Sequence, residues 1–219
     1  MPVSAIIPAF NEEKTIGEIV RTLAKVDIVE EIIVVSDGSW DQTATIAKKC
    51  GAMVIELPEN MGKGAALKKG LEDCKNDIVL FLDADLIGLR EMHIRKLLEP
   101  VMRNQCEMTI GVFDKGRIST DLAQMIAPQL SGQRGVRKSI LDNLENMEVT
   151  GYGIEVALTK YAKKNRIRVI EVKLNNLTHV TKEEKYGVKD GFNKRLKMYW
   201  QICKSLKPVR KLRLRYEKR

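Results

Sequence analysis

The chain has 219 residues and a mass of 24.8 kDa, which is the size of one ordinary domain. Hydrophobic residues make up 44% of it and charged residues 31%, a balance that excludes a disordered tract, a collagen-like repeat and a polytopic membrane protein. The net charge of +9 would by itself indicate a nucleic-acid partner, but residues 185–219 carry 13 Lys and Arg against two acidic residues. We therefore expect a nearly neutral domain over 1–184, a basic extension over 185–219 and no nucleic-acid partner.

Short β-branched runs alternate with amphipathic helical patterns along the chain. In the first half, the predicted strands are Val3–Ile7, Ile32–Val35, Ala52–Leu57 and Ile78–Leu82, and the predicted helices are Thr15–Leu23, Asp41–Lys49, Lys63–Lys75 and Glu91–Met102. In the second half, we predict strands at Glu107–Phe113 and Arg168–Leu174 and helices at Asp121–Gln129, Arg137–Leu144 and Ile154–Lys164. This order predicts an α/β fold with a Rossmann-like, mostly parallel sheet and helices on both faces, whose ligands bind at the carboxyl ends of the strands.

The cysteines and the N-terminal sequence indicate a cytoplasmic protein. Four cysteines are widely separated and form no CxxC pair, which favours reduced thiols. The first apolar run is short, meets Pro8 and follows no basic residue, so it does not resemble a signal peptide. No stretch reaches the roughly 18 apolar residues that a membrane-spanning helix needs.

Asp83-Ala84-Asp85 follows a strand that is apolar enough to be buried on both faces. Two carboxylates at this place repel each other unless a cation lies beside them, and a hard divalent ion that also binds phosphate oxygens would meet that need. The alternative is a pair of solvated turn aspartates, because the motif is short.

Two other predicted strands lead to residues suited to a nucleotide. Asn60–Gly64 is a glycine-rich loop that opens a helix and contains Lys63, an arrangement that suits a phosphate. It is neither a Walker A loop nor a GxGxxG fingerprint, which counts against an ATPase and a dinucleotide dehydrogenase. Asp37 ends the second strand, where it can accept a hydrogen bond from a base or a ribose. The alternatives are a glycine turn with a solvated lysine and an aspartate that caps a turn.

Later candidates are weaker when taken alone. His179 follows a predicted strand and can complete a metal site, and Glu155 opens a helix, where it can act as a general base, bind sugar hydroxyls or simply complement the helix dipole. The segment 131–138 is predicted to be a basic loop that leads into a helix. It can clamp a pyrophosphate or an anionic acceptor, or it forms a solvated cationic face. His93 is expected in a surface helix, 91–102, without a special role.

Four segments taken in order resemble family 2 glycosyltransferases of the GT-A fold over at least residues 2–89. They are Pro-Ala-Phe-Asn-Glu at 8–12, Val-Val-Ser-Asp-Gly-Ser at 34–39, Asn-Met-Gly-Lys-Gly at 60–64 and Asp-Ala-Asp at 83–85. Within that family they are similar to members akin to dolichyl-phosphate mannose synthases and glucosyl-3-phosphoglycerate synthases. One departure is that Ser36 stands where many members have a second aspartate.

The resemblance implies a site for a nucleotide-diphosphate sugar and a divalent cation, Mn²⁺ or Mg²⁺. Asp85 and His179 would bind the cation, and Asp85 and Glu155 are the catalytic candidates. Within the donor site, Asp37 would hydrogen-bond the base, Lys63 would approach base or phosphate, and Asp83 would face ribose or sugar. The nucleoside would be surrounded by Pro8, Ala9, Phe10 and Glu12. The implied donor-binding residues are Pro8, Ala9, Phe10, Glu12, Asp37, Lys63, Asp83, Ala84, Gln133 and Arg134.

The resemblance further implies metal-dependent transfer of a hexose from a UDP- or GDP-sugar to an acceptor, with a phosphorylated lipid or small molecule as the hypothesis. The alternatives are a sugar-nucleotide pyrophosphorylase, for which we find no GxGTR-like loop, and a non-catalytic nucleotide-sugar-binding or membrane-surface adaptor. The pattern of 189–207 predicts an amphipathic helix. It suits peripheral attachment to the inner face of an anionic membrane, packing on the body of the protein, or a homodimer contact.

Overall fold

The computed structural model describes residues 1–114, 131–142 and 153–180. Its strands are β1 (Val3–Ala9), β2 (Val29–Asp37), β3 (Met53–Leu57), β4 (Ile78–Phe81), β5 (Leu86–Ile87), β6 (Met108–Asp114), β7 (Arg134–Arg137), β8 (Val169–Asn175) and β9 (Thr178–His179). Its helices are α1 (Ile16–Leu23), α2 (Thr43–Lys49), α3 (Lys63–Glu72), α4 (Glu91–Met102), α5 (Lys138–Asp142) and α6 (Gly153–Lys164). The predicted helix at 121–129, the boundary at 184/185 and the extension over 185–219 lie outside the described residues. Within the described residues, no helix is long and apolar enough to cross a bilayer.

The larger sheet has the strand order β3-β2-β1-β4-β7-β6-β8. Strand β7 runs antiparallel to both of its neighbours, β4 and β6, while the other pairs are parallel. The predicted α/β fold with a mostly parallel sheet is therefore confirmed. Because β1, β2 and β4 run the same way, their carboxyl ends share one edge of the sheet, and the antiparallel β7 brings its amino end to that edge: Arg134 pairs with Phe81.

Two apolar cores cover the two faces of this sheet. Alternate residues of β1 supply them, since Ala5 and Ile7 pack with apolar residues of α1 and α4, whereas Ile6 packs with those of α3 and α6. Within β4, Val79 and Leu80 are fully buried on opposite sides, as expected for a strand covered on both faces. The cores fix the register of the central strands, and so the positions of the loops at their ends.

The predicted basic loop over 131–138 is confirmed only at 131–133, and the helix to which it leads begins at Lys138, but 134–137 is a strand rather than a loop. Arg134–Arg137 forms β7, which is inserted between β4 and β6, and both Gln133 and Arg134 are fully buried. Gly135 allows this close packing, because a Cβ there would lie 2.8 Å from the backbone oxygen of Leu97. The strand was not predicted because its charged residues indicated an exposed segment. The cationic side chain of Arg134 instead has its hydrogen-bond partners inside the protein.

The helix predicted at 91–102 is confirmed as α4, but His93 faces the interior of the protein rather than the surface. Its side chain is 1% exposed, Nδ1 accepts a hydrogen bond from the backbone N–H of Arg90 at 3.2 Å, and Nε2 lies 3.0 Å from the backbone oxygen of Asn175. These partners assign the neutral tautomer with the proton on Nε2. Burial lowers the pKa of His93, and the charges of Lys96 and Arg90 lower it further, although the contact with Asn175 opposes them.

We predict that this buried histidine makes folding stability dependent on pH. Because the pKa of His93 is lower in the folded state, the unfolded chain takes up the proton first as the pH falls below the ordinary histidine pKa of about 6.5. The stability advantage of the wild type over His93→Gln is therefore complete above that pH and is lost below it. Urea unfolding of both proteins between pH 8 and pH 5 measures this, and a constant difference across the range would contradict the prediction.

Candidate functional site

The edge formed by the carboxyl ends of β1, β2 and β4 collects most of the candidate residues. Asp37 is the last residue of β2, and Asp83 and Asp85 follow β4. Helices α3 and α6 start with Lys63 and Gly153, and the first turn of α6 contains Glu155. The ends of elements far apart in sequence therefore supply this site.

The ammonium group of Lys63 joins two of these carboxylates. Lys63 Nζ lies 2.5 Å from Asp83 Oδ1 and 2.6 Å from Glu155 Oε1. Burial alone would lower the pKa of Lys63, but the charges of Asp83 and Glu155 outweigh it and raise that pKa above its ordinary value. The ammonium therefore stays charged, and it connects the start of α3, the end of β4 and the start of α6.

The segment before β7 orients the second oxygen of Asp83. Gln133 Nε2 donates to Asp83 Oδ2 at 2.8 Å, and Ser131 Oγ donates to Gln133 Oε1 at 2.8 Å. Between them, Gly132 leaves room for the charged groups, because a Cβ there would lie 2.4 Å from Asp83 Oδ1 and 2.6 Å from Lys63 Nζ. Gly132 was not among the predicted site residues, although a glycine flanked by polar residues is the signal for a close approach of this kind.

Glu155 combines burial with an unused acceptor. The residue is 4% exposed, and its Oε2 has no hydrogen-bond partner within the described part of the chain. A buried carboxylate oxygen without a donor costs free energy, so this oxygen is suited to a hydroxyl or N–H group of a ligand. The sequence placed Glu155 at the start of a helix but gave no signal for its contact with Lys63, which is 92 positions away.

Asp37 is engaged by the glycine-rich loop. Its Oδ1 accepts from the backbone N–H of Met61 at 2.8 Å and its Oδ2 accepts from that of Gly62 at 2.9 Å, and the residue is 3% exposed. Gly38 has a φ of +69°, and a Cβ there would lie 2.4 Å from the backbone carbon of Glu59. These contacts agree with the alternative in which Asp37 caps a turn. Hydrogen bonding of a nucleotide base by Asp37 stays a prediction.

The Asp-Ala-Asp turn lies beside His179. Asp83, Asp85 and His179 each offer one ligand atom, and these atoms lie within 4.8 Å of one another. Thr15 Oγ1 donates to the backbone oxygen of Ala84 at 2.6 Å and so holds the turn against the start of α1. Carboxylate oxygens and an imidazole nitrogen form a donor set that suits Mn²⁺, while Mg²⁺ favours the carboxylate oxygens.

The end of β1 brings the predicted nucleoside contacts to the same edge. Ala9 is buried and pairs with Ser36 of β2, and Pro8, Phe10 and Glu12 are half-buried. The backbone N–H of Glu12 donates to Thr43 Oγ1 at 2.8 Å, which ties this segment to the start of α2. Contact of these residues with a nucleoside stays a prediction.

Arg134 has interior partners. Its Nε donates to the backbone oxygen of Ser131 at 2.9 Å, and both terminal nitrogens lie 3.4 Å from Thr159 Oγ1 in α6. Since the side chain is fully buried, these contacts favour a role in fixing α6 and the 131–133 segment. A direct contact of Arg134 with a pyrophosphate stays a prediction.

The family model described as "Glycosyl transferase family 2" matches residues 4–154, which is more than half of the chain. The chain belongs to this family. The matched range contains the four segments at the sheet edge, Gln133 and strand β7. Glu155, β8 and His179 lie beyond the matched range.

The chain is similar to several glucosyl-3-phosphoglycerate synthases. The one from Mycolicibacterium smegmatis is 38% identical over 109 residues, covering 46% of this chain and 36% of the relative. The one from Mycobacterium tuberculosis H37Rv is 28% identical over 193 residues, covering 71% of this chain and 59% of the relative. A crystal structure of the M. tuberculosis enzyme with Mn²⁺, UDP-glucose and phosphoglyceric acid has a TM-score of 0.69 at 28% identity, covering 82% of this chain and 71% of that one. The chain thus spans between about a third and three fifths of the length of these two curated relatives.

We predict that Lys63→Met lowers the free energy of unfolding by about 3 kcal/mol, because it leaves two close, poorly solvated carboxylates without their cation. Adding Glu155→Gln should recover part of this loss, since one of the two charges is then removed. Urea unfolding of the two single variants and the double variant measures the coupling. Lys69→Met, which breaks an exposed ion pair with Glu72, is the control and should change little. Additive effects of the two site variants would contradict the proposed coupling.

A second prediction concerns Asp37→Asn. An amide can accept only one of the two loop N–H groups and turns its own donor towards the other, so we expect a loss of about 1–3 kcal/mol in stability. Hydrogen exchange of the Met61 and Gly62 amides should become faster. Asp73→Asn, at an exposed position, is the matched control. Unchanged exchange at both amides would show that Asp37 does not hold the loop.

Proposed function

We propose that this chain is a metal-dependent hexosyltransferase that uses a nucleotide-diphosphate sugar. The observation that carries the proposal is the joining of Lys63, Asp83 and Glu155 at the sheet edge, next to the Asp-Ala-Asp turn, in a chain of family 2. Ligands of open α/β sheets bind outside the carboxyl ends of the strands, where these groups lie.

Asp85 and His179 would hold Mn²⁺ or Mg²⁺, which, when bound, neutralises the leaving diphosphate as a Lewis acid. Lys63 supplies a fixed positive charge beside the same turn, and Asp83 is oriented by Gln133 to accept from a ribose or sugar hydroxyl. Glu155 Oε2, which has no hydrogen-bond partner among the residues that the structure describes, would accept either from a sugar hydroxyl or, as a general base, from the acceptor.

For the donor and the acceptor, we propose UDP-glucose and a small phosphorylated acid. The support is the similarity to glucosyl-3-phosphoglycerate synthases, one of which crystallised with UDP-glucose and phosphoglyceric acid. A phosphorylated lipid is the competing acceptor. It would give a role to the basic segment 185–219, which lies outside the described residues. We expect a cytoplasmic protein, with attachment to the inner face of a membrane as the variant that belongs to the lipid acceptor, and homodimer formation through 189–207 stays a hypothesis.

Family membership favours transfer over the two alternatives from the sequence, a sugar-nucleotide pyrophosphorylase and a non-catalytic adaptor. The products distinguish all three. A transferase releases UDP and forms a glycoside, a pyrophosphorylase releases UTP when pyrophosphate is added, and an adaptor leaves the donor unchanged.

We predict that UDP-glucose raises the melting temperature of the full chain only when Mn²⁺ or Mg²⁺ is present, because a ligand of the folded state stabilises it by mass action. GDP-mannose and ADP-glucose are the comparison donors in this measurement.

Transfer is assayed with two acceptors, 3-phosphoglycerate and polyprenyl phosphate in vesicles. In that assay, Asp85→Asn should lower the turnover on the order of 100-fold, whereas Asp73→Asn should not. No shift with any donor and no glycoside would contradict the proposal, and product formation with polyprenyl phosphate alone would replace the acceptor.

A further inference from the structure

His93 is a buried polar side chain that the proposed function does not use. It lies at the start of α4, and its two ring nitrogens contact the backbone at Arg90 and at Asn175, the last residue of β8. The two contacts join segments that are 85 residues apart in the chain. A buried imidazole with both nitrogens engaged fixes the distance between those segments more tightly than apolar packing does.

The segments that His93 joins flank the cation ligands. The segment before α4 contains β5, which follows Asp85 directly, and the turn after β8 leads into β9, which ends at His179. Strands β5 and β9 pair with each other, but each has only two residues, so their own hydrogen bonds give little stability. The β5–β9 pairing therefore depends on contacts outside it.

Gly88 provides a second contact between the same two segments. It has a φ of +81°, and a Cβ there would lie 2.7 Å from the backbone oxygen of Asn176. The turn after β8 thus lies directly against the chain that follows β5. His93 and Gly88 hold this turn at two successive residues, Asn175 and Asn176.

We propose that His93 is a positioning residue for the divalent cation: its Nε2–H bond to the Asn175 oxygen holds the turn after β8 in place, so that His179 lies beside Asp83 and Asp85. This inference rests on the proposed function, which assigns the cation to these ligands. It adds a residue outside the metal ligands, on which the position of His179 depends.

Two substitutions separate the two ring nitrogens of His93. Asparagine places an amide oxygen near the position of Nδ1 and keeps the acceptor for Arg90, but it does not reach Asn175. Glutamine places an amide N–H near the position of Nε2 and keeps the bond to Asn175, but it loses the acceptor for Arg90. If the bond to Asn175 positions His179, then His93→Asn should weaken Mn²⁺ binding about tenfold and His93→Gln should change it less than twofold.

The experiment measures Mn²⁺ affinity of the full-length wild type and both variants by calorimetry, with urea unfolding of each as the measure of stability. A merely structural histidine would affect stability in both variants without separating their Mn²⁺ affinities. Equal affinities in His93→Asn and the wild type, or an equal loss in His93→Gln and His93→Asn, would overturn the inference. A wild type that binds no Mn²⁺ would contradict the cation site of the proposed function, and this inference with it.

Gly88→Ala keeps the inference testable if His93→Asn does not fold. The added Cβ should push Asn176 away from Gly88 and so displace the turn after β8 without changing the side chain of His93. Mn²⁺ binding should weaken, and hydrogen exchange of the amides at 176–179 should become faster. Wild-type Mn²⁺ affinity in Gly88→Ala would show that the position of this turn does not control the cation site.

Discussion

The ammonium of Lys63 between the carboxylates of Asp83 and Glu155 connects the structural elements of the site. Each partner lies at the end of a different element, so their mutual attraction fixes the start of α3, the end of β4 and the start of α6 at one point. Burying these three charged groups costs free energy. The ion pairs of Lys63 with both carboxylates offset that cost, and Asp83 also accepts a hydrogen bond from Gln133. The geometry of the site is thus set by electrostatics within a frame that the apolar cores build.

The reversed strand β7 explains how the second half of the chain reaches that point. In a wholly parallel sheet the residues before a strand lie at the far edge, away from the carboxyl ends of its neighbours. Because β7 is antiparallel to β4, the segment 131–133 instead arrives beside Asp83, and Gly132 permits the close approach. Arg134, held by Ser131 and Thr159, then fixes α6 relative to this segment and so positions Glu155.

Local patterns predicted the first half of the fold and the Asp-Ala-Asp turn, because β-branched runs and helical periodicity act over a few residues. They could not predict β7, in which arginine outweighs the apolar signal, nor the burial of His93, whose partner Asn175 is distant in sequence. The contact of Lys63 with Glu155 was missed for the same reason. The order of the motifs predicted that the candidate residues share one edge of the sheet. The contacts between their side chains depend on tertiary packing, which a single sequence does not show.

The charges at this edge explain why a cation belongs to the proposed chemistry. Asp83 and Glu155 share the ammonium of Lys63, and Asp85 places a third carboxyl group beside Asp83. A nucleotide diphosphate would add further negative charge to a site that is already acidic. Electrostatic repulsion would then oppose binding of the donor unless a divalent ion entered with it. Lys63 is already shared between two carboxylates, so a divalent ion at the 83–85 turn would supply the positive charge that a bound diphosphate requires.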